Sequence, residues 1–462
     1  MSRARFHLLL ALVAAALFGA IAWLPFFSED FTQMLEGSRL ASVWQSLGPE
    51  LEPLRPLQHL PFALYSRCEA PHPAWLRLVA VLAHVGSALL VARLALRLGA
   101  QESDARLAGL LFAVFPCVKA LVWGAAISSP LRVVFVLGAL VAFAERRALL
   151  LVACTVLALA SHEGAIVLPA LFVLFAWILG PRRRLLEPAV LLSIAGVLAH
   201  VVYLAFLRPQ RHHGLKSLEA LPANAVKACF SFAPEPLREL VVEGLRGHTG
   251  QSWLFLAIGV FLAWIAVLGL AVLRGRPALR FLVLAIAADL VLPVIGAGFT
   301  QRYAYFSGGM AAIALVLWSA RWPARVRQYV LGAAFALWSV DTIVDLVEYA
   351  HAGRLQARVL AQLREERAAA PAGRLLALID LPDMAGNERD LPLFNWGAEE
   401  CVKRAGIPGP WVFWRTRDFA TSSDIPRVTR ERLRTLTDEG VRALEFDPDS
   451  ADPARPLRVL VP

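Results

Sequence analysis

The sequence predicts an all-α polytopic membrane protein with a small α/β domain at its C-terminus, and three observations support this. Of its 462 residues, 58% are hydrophobic and only 18% are charged, whereas a soluble domain has about a quarter charged residues. The mean hydropathy is +0.58. The apolar residues form long runs up to about residue 350, and the composition then becomes mixed and charged. These features exclude a purely soluble enzyme, a disordered protein, a coiled coil and a disulfide scaffold.

The apolar runs predict about eleven transmembrane helices. The first begins like a signal peptide, after Arg3 and Arg5, but it ends in Trp23-Leu24-Pro25-Phe26-Phe27 rather than in small residues, which predicts a retained helix. The predicted spans, each uncertain by several residues at its ends, are 7–27, 75–97, 105–123, 127–144, 147–160, 165–180, 185–207, 252–273, 279–297, 304–320 and 328–347.

Arginine clusters occupy every second loop between these runs, and the first intervening loop, 28–74, is acidic. The positive-inside rule therefore predicts a cytoplasmic N-terminus and, with an odd number of spans, an extracytoplasmic C-terminus. The net charge of +10 is confined largely to these short clusters, which favours a lipid bilayer rather than nucleic acid as the partner.

The C-terminal composition predicts a second domain. A charged helix is expected at 353–368, a strand over Leu375–Leu381, a helix at 428–439 stopped by Gly440, and a strand at 441–446. The predicted domains are 1–350, in the membrane, and 351–462, a small soluble α/β domain.

Several ionisable residues fall in the predicted outer halves of spans: His84, Lys119, His200, Asp289 and Asp341. They indicate either a water-filled cavity open to the outer side or hydrogen bonds between helices. The turn Ser161–Gly164 joins two short runs, so it would lie below the outer surface, in a cavity or a thinned bilayer, unless the two runs form a re-entrant hairpin.

The candidate catalytic residues, Glu29 and Asp30, follow the first span directly. A carboxylate there can act as a general base, although Ser28 and the two acids also fit an ordinary helix start. His162 and Glu163 fit either a cavity floor or a helix start capped by Ser161. Candidate substrate-binding residues, each with an ordinary structural alternative such as interfacial anchoring, are Arg55, Lys119, His162, Glu163, Arg302, Tyr303 and Tyr305. No metal-ligand cluster and no nucleotide-binding loop is apparent, so neither a metal nor another cofactor is expected.

In their order along the chain, these segments resemble the GT-C superfamily of integral-membrane glycosyltransferases. They are most similar to bacterial relatives of the protein O-mannosyltransferases, including those that bear tetratricopeptide repeats. The resemblance covers about residues 1–320 and is carried by Ser28–Phe31, Leu54–Leu57, Leu82–Val91, Leu110–Pro116 with Trp123, Leu159–Gly164 and Arg302–Tyr305.

The resemblance implies a hexosyltransferase of the bacterial inner membrane that moves a sugar from a polyprenyl-phosphate carrier to an acceptor hydroxyl. It matches Asp30, or less well Glu29, to the family's general base, His162-Glu163 to a Lys-Glu pair, and Arg302–Tyr305 to an Arg-Tyr-x-Tyr motif. Phe115 stands where relatives carry a His, and Lys119 where they carry an acid. A transporter or lipid flippase, and an inert scaffold for the C-terminal domain, are the alternative functions.

Overall fold

The structure is a computed structural model of the chain. It describes residues 3–27, 29–47, 55–68, 72–180, 182–207, 275–295, 301–371, 373–381, 398–414, 428–438, 441–447 and 455–460, together with a few isolated positions between these ranges. Ser28, Cys229 and the predicted span 252–273 lie outside the described residues, apart from Gly269 in that span. The side chains of Glu29 and Arg302 also lie outside them.

Most of the described chain is helical. The helices are α1 Arg3–Phe18, α2 Glu29–Arg39, α3 Pro56–Tyr65, α4 Ala74–Arg97, α5 Glu102–Ala113, α6 Val118–Val122, α7 Ser128–Glu145, α8 Ala148–Ser161, α9 Leu168–Leu179, α10 Pro188–Val202, α11 Pro277–Ile295, α12 Tyr305–Ser319, α13 Ala324–Ala369, α14 Ala398–Arg404 and α15 Arg430–Asp438. Short 3-10 turns at Gly19–Trp23, Gly124–Ala126 and Glu163–Val167 join some of them.

Within the described ranges, six helical segments are long and apolar enough to cross a membrane: Ala4–Trp23, Ala74–Arg97, Gly124–Glu145, Pro188–Phe206, Pro277–Ile295 and Ala324–Ala369. Shorter apolar helices occupy Ala148–Ser161, Glu163–Leu179 and Tyr305–Ser319. The prediction of a polytopic helical membrane protein is confirmed in this form. The number eleven stays a prediction.

The predicted span at 105–123 is not one helix. Helix α5 ends at Ala113 and α6 begins at Val118, and Pro116, which has no N–H to donate, lies at the break between them. The carbonyls freed at the break find partners on other helices. His84 Nε2 donates to the carbonyl of Ala113 at 3.1 Å, and Thr342 Oγ1 donates to that of Val114 at 3.1 Å. Buried polar side chains thus donate hydrogen bonds to carbonyls that have lost their helical partners.

The Arg-rich loops lie at one end of the helix bundle. Arg97, at the end of α4, bonds to Glu145 at the end of α7 at 2.9 Å. Arg184 donates to the last carbonyls of α7, and Arg327, in the first turn of α13, pairs with Asp104 in the first turn of α5. Because the chain runs back and forth between the two ends, the turns that carry Asp30, Arg55 and Glu163 lie at the other.

The α/β domain contains a four-stranded sheet of order β4-β1-β5-β6, made of β1 Leu376–Ile379, β4 Trp411–Trp414, β5 Arg442–Phe446 and β6 Leu457–Leu460. Strand β1 pairs in parallel with β4 and β5, and β6 pairs antiparallel with β5. The short strands β2 Met384–Ala385 and β3 Leu391–Pro392 pair separately. The predicted strands at Leu375–Leu381 and 441–446 and the predicted helix at 428–439 are confirmed.

Helix α13 connects the two parts of the molecule without a break. It runs for 46 residues, so the predicted span at 328–347 and the predicted helix at 353–368 are one helix, and the predicted domain boundary at 350 falls inside it. One continuous hydrophobic cluster also joins the parts, since Phe27 and Phe31 of the α2 region share it with Cys401 of α14 and Leu444 of β5.

Candidate active site

Asp30 lies in the first turn of α2 with its carboxylate fully buried. Its Oδ2 accepts a hydrogen bond from the amide of Phe27 at 3.1 Å, and its Oδ1 accepts one from the amide of Ala125 at 2.7 Å. The first contact caps the start of its own helix, and the second ties α2 to the turn Gly124–Ala126 between α6 and α7. Asp30 therefore has a structural role at the junction between α2 and this turn.

Burial raises the pKa of Asp30 from 3.8 to about 6, although the hydrogen bonds from Phe27 and Ala125 and the charge of Arg77 act in the opposite direction. A carboxyl group of this kind is ionised at neutral pH and holds a proton more readily than an exposed aspartate does. That is the property required of a general base that must take up a proton during a reaction.

Arg77, in the first turn of α4, lies under the same segment and is only 2% exposed. Its guanidinium donates to the carbonyls of Ile21 at 2.7 Å and of Val122 at 3.0 Å, and also to those of Leu24 and Pro25. One side chain thus joins the end of the first span to the end of α6. Sequence reasoning did not identify this residue.

A second cluster is centred on the predicted turn after α8. Arg55, at the N-cap of α3, binds Glu163 with two parallel hydrogen bonds of 2.7 and 2.5 Å, and its Nη1 also donates to Gln58 at 3.3 Å. The amide of Gly164 donates to His162 Nδ1 at 2.9 Å. The side chain of Glu163 is 42% exposed and that of Arg55 is 19% exposed, so Glu163 is the more accessible member of this ion pair.

The cap of this turn differs from the expected one. His162, rather than Ser161, is the N-cap of the turn Glu163–Val167, because its ring nitrogen accepts the amide hydrogen. The hydroxyl of Ser161 instead donates back to the carbonyl of Leu157 at 2.7 Å. His200 of α10 lies within electrostatic reach of Glu163, and its Nε2 is buried without a hydrogen-bond partner among the described residues.

Beneath this turn lies a buried ion pair between transmembrane helices. Arg132 Nη1 of α7 lies 3.1 Å from Asp289 Oδ1 of α11, and Ser307 of α12 donates to Asp289 Oδ2 at 2.8 Å. Arg132 touches the turn so closely that a Cβ added to Gly164 would lie 2.5 Å from Arg132 Nη1. The guanidinium therefore supports the backbone that presents His162 and Glu163. Of the two alternatives for Asp289, a water-filled cavity or hydrogen bonds between helices, the structure shows bonds between helices.

The two clusters lie at the same end of the molecule. Helix α2, which carries Asp30, packs on α3, which begins beside Arg55, and the two backbones approach so closely that a Cβ on Gly37 would lie 2.9 Å from the carbonyl oxygen of Phe62. Helix α3 also packs against α8, which leads into Glu163. Residues far apart in the sequence thus share one end, opposite the Arg-rich loops.

The remaining candidates occupy three different environments. Tyr305 is fully buried and donates its hydroxyl to His84 Nδ1 at 2.5 Å. Lys119 lies over the ring of Trp123, 5.6 Å from its centroid. Tyr303 is partly buried and packs beside Ala304 in a small apolar cluster. Binding of substrate by these residues, and by Arg302, stays a prediction.

Phe115, at a position where the resemblance implies a histidine, belongs to the hydrophobic core. It is fully buried and meets Trp338 of α13 edge-on, with their ring centroids 5.2 Å apart. A Cβ on Gly308 would lie 2.5 Å from the Phe115 ring, so the glycine of α12 makes room for it. Phe115 therefore fills a space between helices.

Three further features bear on where a ligand or a metal ion could bind. A cavity of about 570 Å³ lies in the α/β domain, beside Arg364, Arg367 and the loop of residues 406–409, and none of the predicted site residues lines it. The expected outward cavity is not open at Asp30, whose side chain has no exposed surface. In the part of the chain that the structure describes, no three His, Cys, Asp or Glu side chains are grouped to hold a metal ion.

Comparison with known proteins gives a fold but no family. No protein-family model matches the chain, and no curated protein matches its sequence. Among solved structures, it is similar to ArnT from Cupriavidus metallidurans bound to undecaprenyl phosphate, with 14% sequence identity, a TM-score of 0.50, and coverage of 97% of this chain and 94% of that one. The same protein in the apo state gives 13% identity, a TM-score of 0.48, and coverage of 96% and 92%. At the TM-score of 0.50, the chain therefore shares the fold of undecaprenyl-phosphate-bound ArnT over nearly its whole length.

Proposed function

We propose that this protein is a membrane glycosyltransferase that moves a sugar, taken to be a hexose, from a polyprenyl-phosphate carrier to an acceptor hydroxyl on the extracytoplasmic face. The observation that carries the proposal is the fold shared with ArnT, a protein whose structure holds undecaprenyl phosphate. The grouping of Asp30, Arg55 and Glu163 at the end opposite the Arg-rich loops supports it.

The chemistry assigns one role to each cluster. As the acceptor oxygen attacks the anomeric carbon, its proton passes to a carboxylate oxygen of Asp30, and the bond between that carbon and the phosphate oxygen breaks. Negative charge grows on the departing lipid phosphate, and Arg55, together with Arg302, stabilises it. Because Asp30 is fully buried, the proposal requires substrate binding to part the segments that cover it.

The transfer reaction can be tested in proteoliposomes that contain purified protein and a radiolabelled polyprenyl-phosphate hexose. A transferase forms a labelled product with a new glycosidic bond. A transporter or flippase moves the labelled lipid or sugar across the bilayer and leaves the phosphate–sugar bond intact, and that result would contradict the proposal. Deleting residues 355–462 to test the scaffold alternative would also remove Cys401, whose side chain shares a core with Phe31 of α2, so point variants are the cleaner test.

Arg55 offers a more specific prediction. We expect Arg55→Lys to raise the KM for the lipid-linked donor by about tenfold or more, because lysine cannot make the two parallel hydrogen bonds with which arginine holds a phosphate or a carboxylate. Steady-state kinetics at several donor concentrations measure this change. Arg67→Lys is a suitable control, because Arg67 lies just after α3 and donates to backbone carbonyls. An unchanged KM in Arg55→Lys would contradict the assigned role.

A further inference from the structure

The backbone that surrounds Asp30 consists of two segments, and Arg77 bonds to both. The carboxylate bonds to the amide of Phe27 in one segment and to that of Ala125 in the other. The Arg77 guanidinium bonds to the carbonyl of Pro25 in the first segment and to that of Val122 in the second. Asp30 and Arg77 therefore join the same two segments. Asp30 accepts hydrogen bonds from their amides, and Arg77 donates hydrogen bonds to their carbonyls.

Arg77 also carries a buried charge that needs compensation. The hydrogen-bond acceptors found for its guanidinium are neutral carbonyls, and among the described residues no carboxylate lies within ion-pair distance of it. Among the described residues, the acid whose charge acts on Arg77 is Asp30. The other titratable groups that act on Arg77 are Tyr65 of α3 and Tyr349 of α13, which are neutral at pH 7. The ionised carboxylate of Asp30 is thus the counter-charge of Arg77.

We infer that Arg77 is a positioning residue for the reaction proposed above: it holds the two segments that present Asp30, and its charge keeps the carboxylate ionised. The inference rests on the proposed function of Asp30 as the base. Arg77 itself touches no reacting atom, because its hydrogen bonds are used on the backbone beneath the site. It acts through the geometry and the protonation state of Asp30.

The kinetic test compares Arg77→Met with Arg77→Lys. Arg77→Met removes both the charge and the hydrogen bonds, so we expect kcat to fall by about 10²-fold, with little change in the KM for the donor. The pH at which the rate rises should also move upward, since a positive charge no longer favours the carboxylate. Arg77→Lys keeps the charge, so its pH profile should stay close to that of the parent while kcat falls. A pH profile that is the same in Arg77→Met as in the parent would overturn the inference.

Arg93→Met is the matched control. Arg93 lies on the same helix but at its far end, where it pairs with Glu145 at 2.6 Å. We expect this variant to keep the parental kcat and pH profile. An equal loss of activity in Arg93→Met would show that any lost arginine weakens α4, which would also overturn the inference.

Thermal unfolding in detergent tests the coupling without any substrate. Arg77→Met, Asp30→Asn and the double variant form a cycle, and we expect the fall in Tm of the double variant to be smaller than the sum of the two single falls, because each single change leaves one buried charge uncompensated. Additive falls would overturn the inference. If Asp30→Asn kept full transferase activity while the cycle remained non-additive, the proposed base would be wrong and the Arg77–Asp30 coupling would still stand.

Discussion

Asp30→Asn is expected to lower the rate of sugar transfer by about 10²–10⁴-fold, the usual contribution of a general base. An amide cannot take the proton of the acceptor hydroxyl. In the parent protein the rate should rise with pH through about 6, where the buried carboxyl group ionises, and this rise should be absent from the residual activity of the variant. Initial rates measured between pH 5 and 8 with a lipid-linked sugar would show both effects.

The same change also has a structural cost that must be separated from chemistry. Both oxygens of Asp30 accept backbone amides, and an asparagine offers one acceptor and one NH₂ group. One amide therefore loses its partner, which costs about 1–3 kcal/mol of stability. Glu36→Gln, in the same helix and half-buried, is the matched control and should keep its activity. If Asp30→Asn folds and transfers sugar at the parental rate, the base is another residue.

Asp289→Ala is expected to have the largest effect on stability. It would leave Arg132 charged and unpaired among transmembrane helices, where the two side chains are now 8% and 1% exposed. Breaking a buried pair from one side costs about 3–5 kcal/mol. The Ser307 hydroxyl would lose its acceptor as well. Thermal unfolding of the purified protein in detergent would show the loss as a lower Tm.

Two comparisons make this measurement specific. Replacing both partners, as Arg132→Met with Asp289→Leu, should recover most of the lost Tm, because no unpaired charge remains. Glu145→Gln tests an ion pair at the opposite end, where Arg93 and Arg97 are 41% and 52% exposed. Its fall in Tm should be smaller than that of Asp289→Ala. A double variant no more stable than Asp289→Ala would show that the pair is not what matters.

Much of the fold could be predicted from the sequence, because long apolar runs and alternating Arg clusters are strong local signals. The break after α5 was missed because 105–123 is apolar throughout, and its one interrupting residue, Pro116, is also tolerated in transmembrane helices. The break is stabilised by tertiary hydrogen bonds. The orphaned carbonyls of Ala113 and Val114 are satisfied by His84 and Thr342 from distant parts of the chain.

The site was predictable as a set of residues but not as a set of contacts. Asp30, Arg55 and Glu163 stood out by type and position, yet the bond between Arg55 and Glu163 spans 108 residues, which no spacing rule gives. Arg77 and Arg132 were missed although a signal existed: Arg132 is the one charged residue of the run 127–144, and Arg77 lies in the first turn of the run 75–97. An intramembrane cation requires a partner, and applying that rule to every arginine would have identified both residues.

Helix α13 has a mechanical consequence. With 46 residues and about 1.5 Å of rise per residue it measures about 69 Å, more than twice the roughly 30 Å of a bilayer core. Because α13 is continuous, it couples the sheet rigidly to the helix bundle, whereas a flexible linker would let the sheet move independently. Near Gly353 it bears on Pro25, where an added Cβ would lie 2.8 Å from the ring. A movement of the sheet would therefore be transmitted through α13 to the segment around Pro25, which leads into Asp30.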